Sequence, residues 1–385
     1  MSRYLLLFLF IGIIQIPAQI IEVRVFSNTD ITDISLKSLN GDYQIHTESG
    51  FLAMFPSGTQ LNLRINSSGK IHVSLNGDYL SITDSLFLYQ NSLKDYLNFF
   101  SSGAKFNSRK YQGDFKVFVQ HNNLQFINRI LLDQYLEGVL ASEAGIMLES
   151  EYYKVQAIIS RTYALNNLLK HMNEGFNLCD DVHCQAYFGR YEGESNQILD
   201  GVRNTKGSVL IDSKKNQFPV FYSANCGGQS AETDQIWNGS IPEYISHNDT
   251  FCIHTRQARW EKYVLMKDFL DFLGSNYFLN VENADVLHGI MNFKQESRKT
   301  FFLHPSFGIP LRDLRQEFGL KSTYFDLEII GDKILFKGKG FGHGVGLCQE
   351  GAMNMIKQGK MYDQVLRYYF GSAQIATYRN AIIYK

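Results

Sequence analysis

Surplus charge, proline and long apolar runs are what this sequence has least of. Lys and Arg total 37 against 38 Asp and Glu, a formal net charge of -1. That balance excludes a disordered polyelectrolyte. It also argues against a strongly basic nucleic-acid binder, because neutralising phosphates takes surplus Lys and Arg. Proline is scarce, at 6 residues, and no low-complexity linker or internal repeat is evident. After the opening residues, no segment reaches the ~18 consecutive apolar residues of a membrane-spanning helix. What the chain has in plenty is core material: 44% hydrophobic residues, with 29 Phe and 22 Tyr. Its 385 residues allow roughly two to three domains.

Arg3 is followed by an apolar run from Leu5 to Ile16, broken by Gln15, and then by Pro17-Ala18-Gln19. A positive start, a short apolar stretch and a small-residue exit fit a cleaved signal peptide over residues 1–18. A retained anchor is the alternative, although the run is short for a bilayer. No Cys directly follows the run, which excludes lipid attachment there. The expectation is an exported protein, periplasmic or extracellular, with no membrane span in the mature chain. Export permits disulfides. The five cysteines, Cys179, Cys184, Cys226, Cys252 and Cys348, are an odd number. One thiol is therefore left over, or some bind metal.

Residues 20–120 alternate apolar and polar at period two, as in Ile21-Glu22-Val23-Arg24-Val25 and Leu61-Asn62-Leu63-Arg64-Ile65. These are strand signals. The period then changes. Leu132, Tyr135, Leu136, Val139 and Leu140 fall at helical spacing, and Gly145 is a natural stop. A longer helix is expected from Glu151 to Lys170, with a buried stripe of Val155, Ile158, Ile159, Thr162, Tyr163 and Leu165. Gln156, Ser160 and Arg161 lie off the centre of that stripe. Residues 173–200 read as loop, 225–250 as turns and 261–330 as mixed. Two helices, about Glu350–Gln358 and Asp363–Phe370, close the chain. The expected class is α+β: β-rich, with an inserted helical segment and C-terminal helices. The expected division is a β-rich region over 19–110 and a core over 111–385.

Three constellations carry chemistry. Glu143 sits where a helix ends, beside the negative end of the helix dipole, which favours its protonated form. That suits a general acid; the plain alternative is a solvated helix-end Glu. Lys339-Gly340-Phe341-Gly342-His343-Gly344-Val345-Gly346 places a His between glycines that permit close backbone approach. It lacks the strand–GxGxxG–helix context of a dinucleotide site, and a tight turn with an exposed His is the alternative. His171, Cys179, His183 and Cys184 offer two N and two S donors, a standard tetrahedral zinc set. A Cys179–Cys184 disulfide competes with that reading. Cys226 and Cys252 are expected to form a disulfide closing the turn-rich stretch, two buried thiols being the alternative.

These segments together resemble the SpoIID/LytB family. Asp133-Gln134-Tyr135-Leu136-Glu137-Gly138-Val139-Leu140-Ala141-Ser142-Glu143 is similar to its EDYLxGVVxSE segment. Tyr153 to Ala164 is similar to its LKAQAVAARTYA helix. Thr205-Lys206-Gly207 and Phe221 to Gly228 match its TxG…YxSxxGG block, and Gly340 to Ala352 its GxGHGVGMSQxGA block. The four blocks occur in order over about 115–370. The resemblance implies a peptidoglycan lytic transglycosylase acting on peptide-stripped glycan strands, or a non-catalytic glycan-binding or amidase-enhancing module. It places the catalytic acid on Glu143, where Ala144-Gly145 replaces the usual Met-Pro. It also implies a zinc site at His171, Cys179, His183 and Cys184, since some members carry one after this helix. Partners would be glycan strands and an N-acetylmuramoyl-L-alanine amidase. Tyr222, Asn225 and His343 are candidates for holding sugar hydroxyls or oxocarbenium-like charge; Arg161, a candidate substrate ligand, and Gln156 either face the cleft or knit their helix to its neighbours. Cys348 stands where Ser is usual and has no assigned role.

Overall fold

The computed structural model describes residues 19–101, 106–146, 148–193 and 196–378. The expected signal segment, 1–18, lies outside the described residues. The period-two segments form two sheets. One has seven strands, ordered Leu178–Cys179, Ile20–Val25, Asn123–Leu131, Asp114–Gln120, Ser85–Gln90, Tyr43–Thr47, Gly50–Phe55. The other has six, ordered Arg109–Gln112, Tyr96–Phe100, Asp33–Asn40, Gln60–Ile65, Ile71–Leu75, Asp78–Thr83. Their buried alternate residues share one core, in which Phe99 of the second sheet packs on Phe115 and Phe126 of the first.

Two expectations change here. The boundary expected at 110/111 falls inside this sandwich, because strands from 20–90 and 114–131 interleave in one sheet. A repeat is also present. The hairpins 43–55 and 71–83 share the same order of buried and exposed positions, and each carries a register shift at its middle. Their third strands are exchanged: Ser85–Gln90 pairs with the first hairpin and Gln60–Ile65 with the second. Burial is repeated far more closely than residue identity, which is kept at few equivalent positions such as Leu52 and Leu80, so the sequence hides it.

The chain then turns helical. Helix α1, Leu132–Ala144, buries Leu132, Tyr135, Leu136, Val139 and Leu140 as the spacing predicts. It ends at Gly145, whose φ of 79° suits glycine. Helix α2, Ser150–Asn166, is shorter than expected, and it is buried on nearly every side, Gln156, Ser160 and Arg161 included. Helix α3, Gln197–Asn204, and the C-terminal helices Gln349–Lys357 and Tyr362–Tyr369 surround it.

A second, smaller core lies within 260–336. There a three-stranded sheet, Arg259–Leu265, Lys333–Lys339 and Phe325–Ile330, packs on helices Met266–Tyr277, Ala284–Met291 and Leu311–Glu317. Among the described residues, no helix is long and apolar enough to cross a membrane.

Candidate active site

Glu143 occupies the last turn of α1 and lines a cleft of about 1430 Å³. Its Oε1 accepts hydrogen bonds from the Ala186 amide at 2.7 Å and the Tyr222 hydroxyl at 3.3 Å. Burial pushes its pKa up, and those two bonds only partly offset the effect. Desolvation therefore dominates where the sequence pointed to the helix dipole. Tyr222 is held in turn by Gln185 Nε2 at 3.2 Å, and Gln185 Oε1 accepts from Tyr135 at 3.3 Å.

One partner of Glu143, the Ala186 amide, comes from the loop that carries the Cys and His residues, as does Gln185, which holds Tyr222. Cys184 Sγ lies 3.4 Å from His171 Nε2 and 4.0 Å from His183 Nδ1, and Cys179 Sγ lies 3.7 Å from His183 Nδ1. All four ligand atoms fall within 4.8 Å of one another. Tetrahedral zinc, with Zn–S ≈ 2.3 Å and Zn–N ≈ 2.0–2.1 Å, has S···N edges of about 3.6 Å. The donor set and its spacing therefore fit a metal ion. His171 Nδ1 also pairs with Glu174 at 2.5 Å, the kind of carboxylate support common behind metal-binding histidines. Both cysteines are free thiols, so the competing disulfide is not formed. This loop is fastened at two ends. Leu178–Cys179 pairs parallel to Ile20–Val25, and Asp180 accepts from the Phe26 and Ser27 amides and from Arg109. On the other side, Ala186 and Phe188 donate to Glu143 and Ser142 of α1.

The glycine-rich loop approaches protein backbone. Gly340, Gly342, Gly344 and Gly346 all have positive φ. A Cβ on Gly346 would sit 2.2 Å from the Phe221 carbonyl oxygen, and one on Gly342 would sit 2.7 Å from Ser223 Cβ. The loop lies against 221–227 and sets His343 into the cleft wall. There the imidazole meets Trp237, with centroids 5.1 Å apart, and accepts from the Val345 amide at Nδ1. Burial, helped by the charge of Arg315, holds its pKa down at about 4 despite a bond to the Tyr222 backbone, so the ring is neutral at ordinary pH.

Two expected sugar ligands are placed elsewhere. Arg161 is 1% exposed. It bonds to Asp133 and to the carbonyls of Thr205, Ser208 and Val202, tying α2 to α1 and α3. Asn225 is fully buried among Cys252, Thr255, Glu350 and Gly227, with both amide atoms engaged. Neither lines the cleft, because each is consumed in joining elements. The expected Cys226–Cys252 disulfide is not formed either: the two sulfurs stand 3.4 Å apart and both thiols are free. A bond would need about 2.05 Å.

Sequence reading missed Gln185, Trp237, Phe341, Lys170 and Arg315. Gln185 directly follows Cys184 and was within reach of the metal-loop argument. Phe341 lies inside the glycine-rich motif and was likewise within reach, whereas Trp237, Lys170 and Arg315 come from distant segments that converge only in the fold. Trp237 and Phe341 are 37% and 41% exposed, respectively. Among the described residues lining the cleft, Glu143 is the only carboxylate.

A family model described as Stage II sporulation protein (SpoIID) matches residues 120–211. The chain is 26% identical over 266 residues to the Stage II sporulation protein D of Bacillus subtilis, covering 66% of this chain and 76% of that one. It is 24% identical over 379 residues to a B. subtilis protein named amidase enhancer, 83% of this chain and 50% of that one. An uncharacterized protein of Brachyspira hyodysenteriae is 23% identical over 93% of this chain and 96% of its own length.

Proposed function

Since the chain belongs to the SpoIID/LytB family, we propose that it acts on the cell wall as a lytic transglycosylase. Its substrate would be peptide-stripped glycan strands, and its products would carry 1,6-anhydro-muramic acid ends. The observation that carries this reading is that Glu143 is the only carboxyl among the described residues lining the cleft. Hydrolytic glycosidases ordinarily use two carboxylates at set separations. An intramolecular transfer uses one group twice. Both bonds to Glu143 fall on Oε1, which leaves Oε2 to carry the proton.

The steps balance without water. Oε2–H protonates the glycosidic oxygen and the C1–O bond breaks, freeing the neighbouring sugar's hydroxyl. The muramic acid 6-hydroxyl oxygen then bonds to C1, and its proton returns to Glu143. Tyr222 and the Ala186 amide steady the carboxylate between these steps. The cleft exceeds the roughly 300–1,000 Å³ of small-molecule pockets, as a polymer segment requires. Trp237 and Phe341 offer faces for sugar rings. Lys170 and Arg315 also line the cleft and suit the lactyl carboxylate that stem-peptide removal exposes.

His171, Cys179, His183 and Cys184 would hold one Zn²⁺ in a closed site. A bound ion would fix the loop from which Gln185 and Ala186 reach Tyr222 and Glu143. Four protein ligands leave no open position, so the role is structural. Export to the cell wall and cooperation with an amidase that strips stem peptides belong to the same proposal. The likeness to a protein named amidase enhancer favours a second reading, a glycan-bound activator. Mass analysis of amidase-treated strands after incubation separates them. Anhydro ends support the enzyme. Unchanged strands, with faster release of peptides by an added amidase, support the activator.

A further inference from the structure

Cys226, Asp249, Cys252 and Cys348 take no part in the chemistry above. Three chain segments bring them together. Cys226 follows the strand Tyr222–Ser223, Cys348 ends the strand that pairs with it, and Asp249 and Cys252 sit one turn apart in the loop before the second core. All four are buried, with ligand atoms within 4.8 Å of one another. Cys226 Sγ is 3.4 Å from Cys252 Sγ and 3.3 Å from Asp249 Oδ2. We propose that these four residues form a second Zn²⁺ site, closed and tetrahedral, distinct from the one beside Glu143.

The spacing is right for one ion. A tetrahedral zinc with Zn–S ≈ 2.3 Å and Zn–O ≈ 2.0–2.2 Å has edges of about 3.8 Å between sulfurs and 3.5 Å between sulfur and oxygen. The separations are too long for a disulfide and leave no room for a multi-iron cluster. Three soft thiolates and one carboxylate favour zinc over calcium or magnesium.

The surroundings are built for an anionic centre. Cys348 Sγ accepts from the Cys226 amide at 3.3 Å and the Gly351 amide at 3.4 Å, at the start of a helix. Tyr369 donates to Asp249 Oδ2 at 2.9 Å and orients the carboxylate. The Arg298 guanidinium is buried beside the cluster. Its bonds go to the carbonyls of Cys226 and Gln229 and the hydroxyl of Thr323, none of them charged. A buried cation needs a counter-charge. Zn²⁺ held by three thiolates and one carboxylate, their protons displaced on binding, leaves a centre of charge −2 for Arg298 to face. The cysteine count agrees: two sites of two and three thiols use all five, where disulfide pairing strands one. The ion would clamp the strand of Tyr222 to the end of the glycine-rich loop, behind the catalytic wall.

The test is metal analysis of the full-length protein, purified from its native compartment without chelator, beside Cys179→Ala and Cys348→Ala. Two zinc ions per chain, with one lost in each variant, is the expected result. A single ion that Cys348→Ala removes and Cys179→Ala retains would keep this site and remove the other. Should Cys348→Ala fail to fold, cobalt-loaded wild-type protein answers instead. Its thiolate-to-metal absorption should correspond to five thiolates rather than two. A mapped Cys226–Cys252 disulfide, or a metal content unchanged by Cys348→Ala, would overturn the proposal.

Discussion

Glu143 combines burial, which raises its pKa, with two donors on one oxygen, which keep its anion accessible. A group used first as acid and then as base needs both. Replacing it by Gln removes the proton but not the shape. Glu143→Gln should lower strand cleavage by about 10²–10⁴-fold, the span of general acid–base contributions, with unchanged circular dichroism. Cleavage at the wild-type rate would remove Glu143 from the mechanism. Tyr222 gives a subtler check. The rate should fall as pH rises through the raised pKa of Glu143, because the acid must start protonated. The Tyr222 bond lowers that pKa, so Tyr222→Phe should move the alkaline limb of the kcat profile to higher pH. A limb that stays put, or moves down, would show that Tyr222 does not act on the acid.

At the scale of elements, α2 shows what residue patterns convey and what they conceal. Its apolar stripe was legible because Val155, Ile158, Ile159 and Leu165 recur at 3.6 spacing. That polar Gln156, Ser160 and Arg161 would also be buried was not, since only the elements packed around α2 decide it. A matching motif marks Arg161 as needed without saying for what, and the answer is a buried joint. Arg161→Leu should destabilise the protein by roughly 1–3 kcal/mol, because it leaves the carbonyls of Thr205, Ser208 and Val202 without their donor while the part-exposed Asp133 returns to water. The thermal midpoint checks it. A folded variant that instead loses only substrate affinity would return Arg161 to the binding site. Asn225 and the glycines behave alike: their spacing is visible in sequence, but the surface they approach is not. Cleft residues such as Trp237 and Arg315 gave no local signal, because their meeting depends on the fold.

Over the whole molecule, the Cys/His loop joins the β-sandwich to the helix that carries Glu143, so the N-terminal sheets bear on the cleft although none of their described residues lines it. Substrate choice also belongs to this scale. Intact peptidoglycan should be cleaved at least tenfold more slowly than strands pretreated with amidase, since stem peptides would crowd the cleft and mask the lactyl carboxylate that Lys170 and Arg315 suit. Equal rates on both would contradict the assignment. The exchanged third strands of the sandwich carry a further consequence, for how the chain is made. The strand Tyr43–Thr47 has one neighbour in its own hairpin, and its other edge is closed only by Ser85–Gln90. A chain emerging N-terminus first therefore exposes an open edge for some 40 residues of growth, several seconds at about 5–20 residues per second. During that interval the hairpin 43–55 carries an unpaired strand edge of the kind that templates pairing with another chain.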